Sequence, residues 1–186
     1  METTLIISGG ILLGCFLALS WFTGSDAPYV PTKIIRIKKL LKTLPLKNKN
    51  FYELGSGDGR VVIEAAKMGA NAYGIEQSYL RVLYSRFKSV KNAHFIRRRT
   101  SFIHGNIFNQ DLSNADIVFV FLLPKGVEKL EPKLKKELKK GSLVITQTFH
   151  FKNWKPYKKI LIKDKNEPNT LLGPKKVEGD FRIYQV

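Results

Sequence analysis

Ten residues concentrate the groups that could hold a nucleotide-like ligand: Phe51-Tyr52-Glu53-Leu54-Gly55-Ser56-Gly57-Asp58-Gly59-Arg60. An apolar run ends at Gly55, and a helical pattern begins at Val61, Val62, Ile63, Ala65 and Ala66, so the segment reads as strand, tight turn and helix. Alternating glycines let the backbone take positive φ and let a ligand press against it. The helix that follows aims unpaired N–H groups into the turn. A dinucleotide fold would want Gly or Ala where this chain has Arg60, which disfavours a nicotinamide cofactor. A second carboxylate, Glu76, ends the next apolar run about twenty residues on, where a ribose-binding acid belongs.

Several elements must position these groups. Ile34, Ile35, Ile37, Leu40, Leu41 and Leu44 predict an amphipathic helix running to about Thr43, opened by Pro31 or Thr32. Crossover helices are expected over Arg60–Met68 and Tyr79–Val90, the latter with Leu80, Leu83, Tyr84 and Phe87 on one face. Arg97 to Arg99 fall between that helix and a third strand from Ser101 to His104, which Gly105-Asn106-Ile107-Phe108 closes. The nearly continuous apolar run Ala115–Pro124 suits a central strand covered on both faces, with its end beside the glycine turn. A helix over Val127–Lys140 with Pro132 inside it, a strand over Gly141–Thr148, and strands over Lys158–Lys163 and Phe181–Val186 complete the pattern. The loop Phe149 to Pro156 offers three aromatics as a channel wall.

Formal charge is +17, from 32 Lys and Arg against 15 Asp and Glu, which implies an anionic neighbour. One cysteine, Cys15, excludes an internal disulfide, and with three scattered histidines no usual zinc set is expected. No charged residue occurs from Thr4 to Phe22, a stretch that as a helix spans about 28 Å, close to the hydrocarbon thickness of a bilayer. It predicts a single-pass anchor over residues 1–23, a linker and helix over 24–48, and a ligand-binding domain over 49–186. Lys33, Arg36, Lys38, Lys39 and Lys42 follow the span, which places the domain on the cytoplasmic side of a cell membrane and against anionic lipid.

Glu53 two residues before Gly55, the G-x-G-x-G spacing and Glu76 together resemble motif I and the ribose acid of class I S-adenosylmethionine-dependent methyltransferases. With the hydrophobic span, Pro28-Tyr29-Val30-Pro31-Thr32, Phe121-Leu122-Leu123-Pro124 and the Trp154-Lys155-Pro156 loop, the chain is similar to one branch of them. That branch is the membrane-anchored protein-lysine methyltransferase family, which includes the mitochondrial enzymes acting on the c-ring protein of ATP synthase and on the adenine nucleotide carrier and has bacterial and archaeal relatives. The resemblance implies a Rossmann-like α/β domain with a mostly parallel seven-stranded sheet behind an N-terminal transmembrane helix, and S-adenosylmethionine as cofactor. It further implies that Glu53 lies near the cationic amino-acid end, Glu76 takes both ribose hydroxyls, and Asn106 and Ile107 meet the adenine. Gly55, Ser56, Gly57, Asp58 and Gly59 would cradle the cofactor, with Tyr29 and Thr32 folded over it. Phe121, Leu122, Leu123, Pro124, Phe149, Trp154 and Tyr29 would wall the acceptor channel, and no catalytic base is assigned. The implied partner is a membrane-associated protein. Two other readings remain open: the same chemistry on RNA or a lipid-soluble molecule, and a non-catalytic membrane-bound module that binds the cofactor or nucleic acid.

Overall fold

The computed structural model describes residues 2–23, 30–162 and 179–186, with the side chains of the first helix described from residue 3 to residue 16. The predicted boundary at 24–28, Tyr29, the end of the sixth strand at Lys163 and the segment 167–178 lie outside these residues. In chain order the elements are α1 (Glu2–Thr23), α2 (Ile34–Leu41), β1 (Asn50–Leu54), α3 (Arg60–Lys67), β2 (Asn71–Glu76), α4 (Tyr79–Val90) and α5 (His94–Arg98). Then follow β3 (Thr100–His104), β4 (Ile117–Val120), α6 (Pro124–Glu137), β5 (Leu143–Gln147), β6 (Lys158–Leu161) and β7 (Asp180–Gln185).

The strands form one seven-stranded sheet in the order β3-β2-β1-β4-β5-β7-β6. Five strands run parallel, while β7 is antiparallel to both β5 and β6. Period-two alternation sends Ile117 and Phe119 of β4 into one core and Val118 and Val120 into the other. The first core takes α2, α3, Val82 of α4 and Ile96 of α5; the second takes Val127, Leu130 and Leu134 of α6. Helix α2 is therefore part of the domain, with Ile37, Leu40 and Leu41 buried. It opens at Ile34 behind Lys33 with no side-chain cap, rather than at Pro31 or Thr32.

Two boundaries differ from expectation for physical reasons. The apolar run 115–124 is a strand only over Ile117–Val120, because β1 stops pairing at Leu54 opposite Val120 and the chain beyond has no ladder to join. Helix α6 starts three residues earlier than Val127, at Pro124, where a fixed φ suits the first helical position and the missing N–H is no loss. It passes through Pro132 as one helix. Among the described residues, no helix is long and apolar enough to cross a membrane. For α1 the described side chains stop at Phe16, so the last six positions of the predicted span lie outside that statement.

Candidate functional site

The parallel strands β1 and β2 end side by side, and the glycine turn hangs from that edge. Gly55 and Ser56 both donate their N–H to the Ile75 carbonyl, at 2.9 and 3.0 Å, which bends the chain away from the sheet. Gly55 has φ +81°, where a Cβ would be strained and would meet Leu122 at 3.1 Å. Gly59 works differently from the expected cradle. It caps α3 with φ +71° but does not line the cavity, and a Cβ there would lie 2.5 Å from Cε1 of Phe102. Its role is close packing of the turn over β3.

Glu76 is buried and already well supplied with donors. Its Oε1 accepts from Ser78 N–H at 2.8 Å and from Arg81 through Nε at 3.2 Å and Nη2 at 3.0 Å. Its Oε2 accepts from Gly57 N–H at 2.9 Å. Since a carboxylate offers about four acceptor sites, two per oxygen, Oε1 is filled and Oε2 keeps one. The expected pair of ribose bonds therefore narrows to one in this arrangement. Arg81, five residues after Glu76 on α4, carries no sequence signal that distinguishes it from a surface arginine, yet it is fully buried.

Glu53 is buried as well, and its Oε2 has no hydrogen-bond partner among the described residues. Burial pushes its pKa well above the usual carboxylate range, with the neighbouring Asp58 adding to the rise. Asp58 shows the opposite balance. Burial alone would raise it, but a two-toothed contact with Arg60 at 2.9 and 2.9 Å and Lys88 at 2.8 Å bring it below the usual range. Arg60 also donates to the Thr32 carbonyl at 3.2 Å, fastening the segment before α2 to the turn. Because the folded pKa of Asp58 is depressed, its stabilising effect is present above the unfolded value near 3.9 and is lost as pH falls through the lower folded value. The urea midpoints of wild type and Asp58→Asn should therefore differ at neutral pH and converge below about pH 4.

These groups open onto a cavity of about 980 Å³. Glu53, Gly55 to Asp58 and Glu76 line it together with Thr32, Asn106, Ile107, Phe121 to Pro124 and Phe149, with Leu122 beside Gly55. The lining also includes Arg81, Lys125, Lys129 and Thr148, which the sequence did not single out as contacts. Asn106 spends part of its acceptor capacity locally, taking Phe108 N–H at 2.9 Å. Trp154 is not in the channel. It packs 5.3 Å from the rings of both Phe151 and Tyr184, under Lys135, because the chain turns back sharply after β5. That turn sets Thr148 at φ +64°, unusual for a β-branched residue, with its N–H held by the Asp180 carbonyl at 3.0 Å. Its position depends on β7 pairing beside β5, which no local pattern announces.

S-adenosylmethionine, the cofactor implied by the sequence resemblance, carries two cationic centres, a ribose and an adenine, and the residues present fit it. Among the described residues Glu53 offers an unpartnered buried carboxylate oxygen and Ser56 an unpartnered buried hydroxyl, and the Gly55 turn adds a surface without a Cβ. The cavity volume is within the range of small-molecule sites.

The sequence pattern of the ANTKMT methyltransferase domain matches residues 53–158. A protein-lysine N-methyltransferase of Saccharolobus islandicus is 36% identical over 147 residues, 77% of this chain and 90% of that protein. A lysine N-methyltransferase of Xenopus laevis, named for its action on the c-ring protein of ATP synthase, is 36% identical over 155 residues, 81% of this chain and 68% of that protein. Among solved structures, an RNA methyltransferase from Salinibacter ruber in complex with S-adenosyl-L-homocysteine superposes with a TM-score of 0.71 at 28% identity, covering 84% of this chain and 93% of its own. With the sheet order and the turn geometry, these matches establish that the chain belongs to the ANTKMT methyltransferase domain family, within the class I S-adenosylmethionine-dependent protein-lysine methyltransferases.

Proposed function

We propose that this chain is anchored in a membrane by α1 and methylates a lysine side chain of a membrane-associated protein. One observation carries the acceptor reading. The cavity lining brings the apolar Phe121, Leu122, Leu123, Pro124 and Phe149 together with the cations Lys125 and Lys129. Bound S-adenosylmethionine supplies an electrophilic methyl group on a positively charged sulfur. An amine attacks only when neutral, and a lysine starts from a pKa near 10.4. Burial among apolar side chains and like charges nearby both favour the neutral form, so the walls and the two lysines act together to release the acceptor proton. Positioning of the amine supplies the rest of the acceleration, and no side chain is assigned as base.

In this reading Glu53 faces the cationic end of the cofactor, and Oε2 of Glu76 takes a ribose hydroxyl. Asn106 and Ile107 meet the adenine, and Thr32, held by Arg60, lies over the site. Arrival of a cation beside a carboxyl whose pKa is raised favours its ionised form, so binding should release a proton. Calorimetry in buffers of different ionisation enthalpy should show that release at pH values below the folded pKa of Glu53, and Glu53→Gln should abolish it.

The anchor reading rests on the uncharged sequence from Thr4 to Phe22 and on the cations that follow it, which favour a cytoplasmic domain at a cell membrane. It treats residues 1–23 as anchor, 24–48 as linker and helix, and 49–186 as the methyltransferase domain. The lysine acceptor is supported by the named activities of the Saccharolobus and Xenopus proteins. RNA is the second reading, favoured by the two lysines in the cavity lining and by the Salinibacter structure. Purified chain incubated with methyl-labelled S-adenosylmethionine and a membrane extract, followed by mass mapping, decides between them. Label on a lysine Nζ is expected; label in RNA or in extracted lipid would overturn the acceptor assignment.

A further inference from the structure

Helix α4 is built with its polar side inward. Its buried residues are Arg81, Val82, Ser85 and Ser89, and it is tied to the domain by hydrogen bonds, including Ser85 Oγ to the Gly57 carbonyl at 3.0 Å and Arg81 to Glu76. The outer face carries Tyr79, Leu83, Phe87 and Val90, spaced four, four and three residues apart, which is one stripe of a helix. They are 56%, 41%, 59% and 54% exposed, and Phe95 of α5 beside them is 60% exposed. A stripe of this kind, left exposed among the described residues, marks a docking surface.

Charge identifies what it docks on. From Gln77 to Gln110 there is no acidic residue, while seven are Lys or Arg. Arg81, Arg86, Lys88 and Arg99 point their charges inward, to Glu76, the Phe102 carbonyl, Asp58 and the Gly69 carbonyl. Lys91, Arg97 and Arg98 are exposed around the stripe, and Lys91 lies over the Phe87 ring at 4.4 Å with its stem along the apolar surface. A second copy of the chain would bring these cations face to face and is disfavoured. An apolar stripe rimmed by cations matches the boundary between the headgroups and acyl chains of an anionic bilayer. The apolar helix α1 also lies against α4, on the same side of the domain.

We propose that α4 and α5 form a lipid-docking face that seats Tyr79, Leu83, Phe87, Val90 and Phe95 in an anionic membrane surface. This goes beyond the reading of α1 as an anchor and does not depend on it. Gln77, at the foot of α4, lines the cavity, so docking holds the cavity close to the lipid surface. A tether alone would leave the domain free to rotate; the docked face fixes which side meets the membrane.

The test uses the full chain with Cys15→Ser and a fluorophore on Val90→Cys, or on Asn114→Cys in the loop before β4 as comparator. Vesicles are phosphatidylcholine alone or with about one third phosphatidylglycerol, each with brominated acyl chains as quencher. The label at 90 is expected to be quenched by lipid in the anionic vesicles and shielded from aqueous iodide, while the label at 114 is not. Leu83→Glu with Phe87→Glu should lower the ratio of docked to undocked label by about tenfold or more. A label at 90 that stays open to iodide on vesicles that retain the chain overturns the proposal, as does efficient crosslinking of Val90→Cys between two copies. Retention on neutral vesicles reads α1 separately, so failure of the anchor and failure of the docking face give different patterns.

Discussion

Replacing Glu76 by Gln is expected to lower the affinity for S-adenosylmethionine by between about 10-fold and 100-fold, the loss of a hydrogen bond to a charged acceptor. The amide keeps the volume, and its oxygen can still accept from Gly57 or Ser78, so the turn is retained. The charge is not retained, and Arg81 is left buried without its carboxylate. Breaking a buried pair from one side costs about 3 to 5 kcal/mol of stability, enough to confuse binding with unfolding. The decisive variant is therefore Glu76→Gln combined with Arg81→Met, which removes both charges together. Calorimetry on that folded double variant should show the affinity loss. Unchanged affinity would mean that the carboxylate does not touch the cofactor and that its work is confined to holding Gly57 and Arg81.

The second large effect is on stability. Gly59→Ala should destabilise the fold by about 2 to 4 kcal/mol, of which about 1 to 2 come from forcing an L-residue into the left-handed region. The remainder is overpacking, since the new Cβ would lie 2.5 Å from Phe102 and 3.0 Å from Ser85. For a chain of this size the melting temperature should fall by roughly 4 to 16 °C, with the urea slope unchanged. Phe102→Leu in the Gly59→Ala background should recover part of the loss by vacating the contacted ring edge. If it recovers none, strain at φ +71° accounts for the whole effect.

These two positions show what the sequence could and could not convey. Glu76 was legible because its place depends on local order: an apolar run, a carboxylate, and a helix start, at a fixed interval from the glycine turn. The parallel sheet was legible for the same reason, as apolar strands alternating with amphipathic crossovers. Gly59 belongs to the same motif by spacing, yet what demands it is Phe102, far along the chain and brought close only by the pairing of β2 with β3. An aromatic loop after a strand looks alike in sequence whether it faces a cavity or a core, which is why Trp154 is expected in the channel and is found outside it. The turn at Thr148, set by the Asp180 carbonyl from β7, sends Phe149 to the cavity and leaves Trp154 against Tyr184. In the sequence Arg60 stands out only as a residue that a dinucleotide fold would not have and as the start of a crossover helix. The folded chain uses it as a clasp between Asp58 and the Thr32 carbonyl. Helix α4 was legible as a helix with an apolar face; that the face points outward followed from Ser85 and Ser89 being the residues that fit against the sheet.

The central claim is that the cofactor lies across the ends of β1 and β2, against the glycine turn and within reach of Glu76 and Asn106. Hydrogen–deuterium exchange of the full chain with and without S-adenosyl-L-homocysteine measures this amide by amide. Slowed exchange is expected in the turn at 55–59, at 77–79 and at 106–108, with no change in β6 and β7. Unaltered exchange in the turn, or protection confined to the far edge of the sheet, would contradict the account.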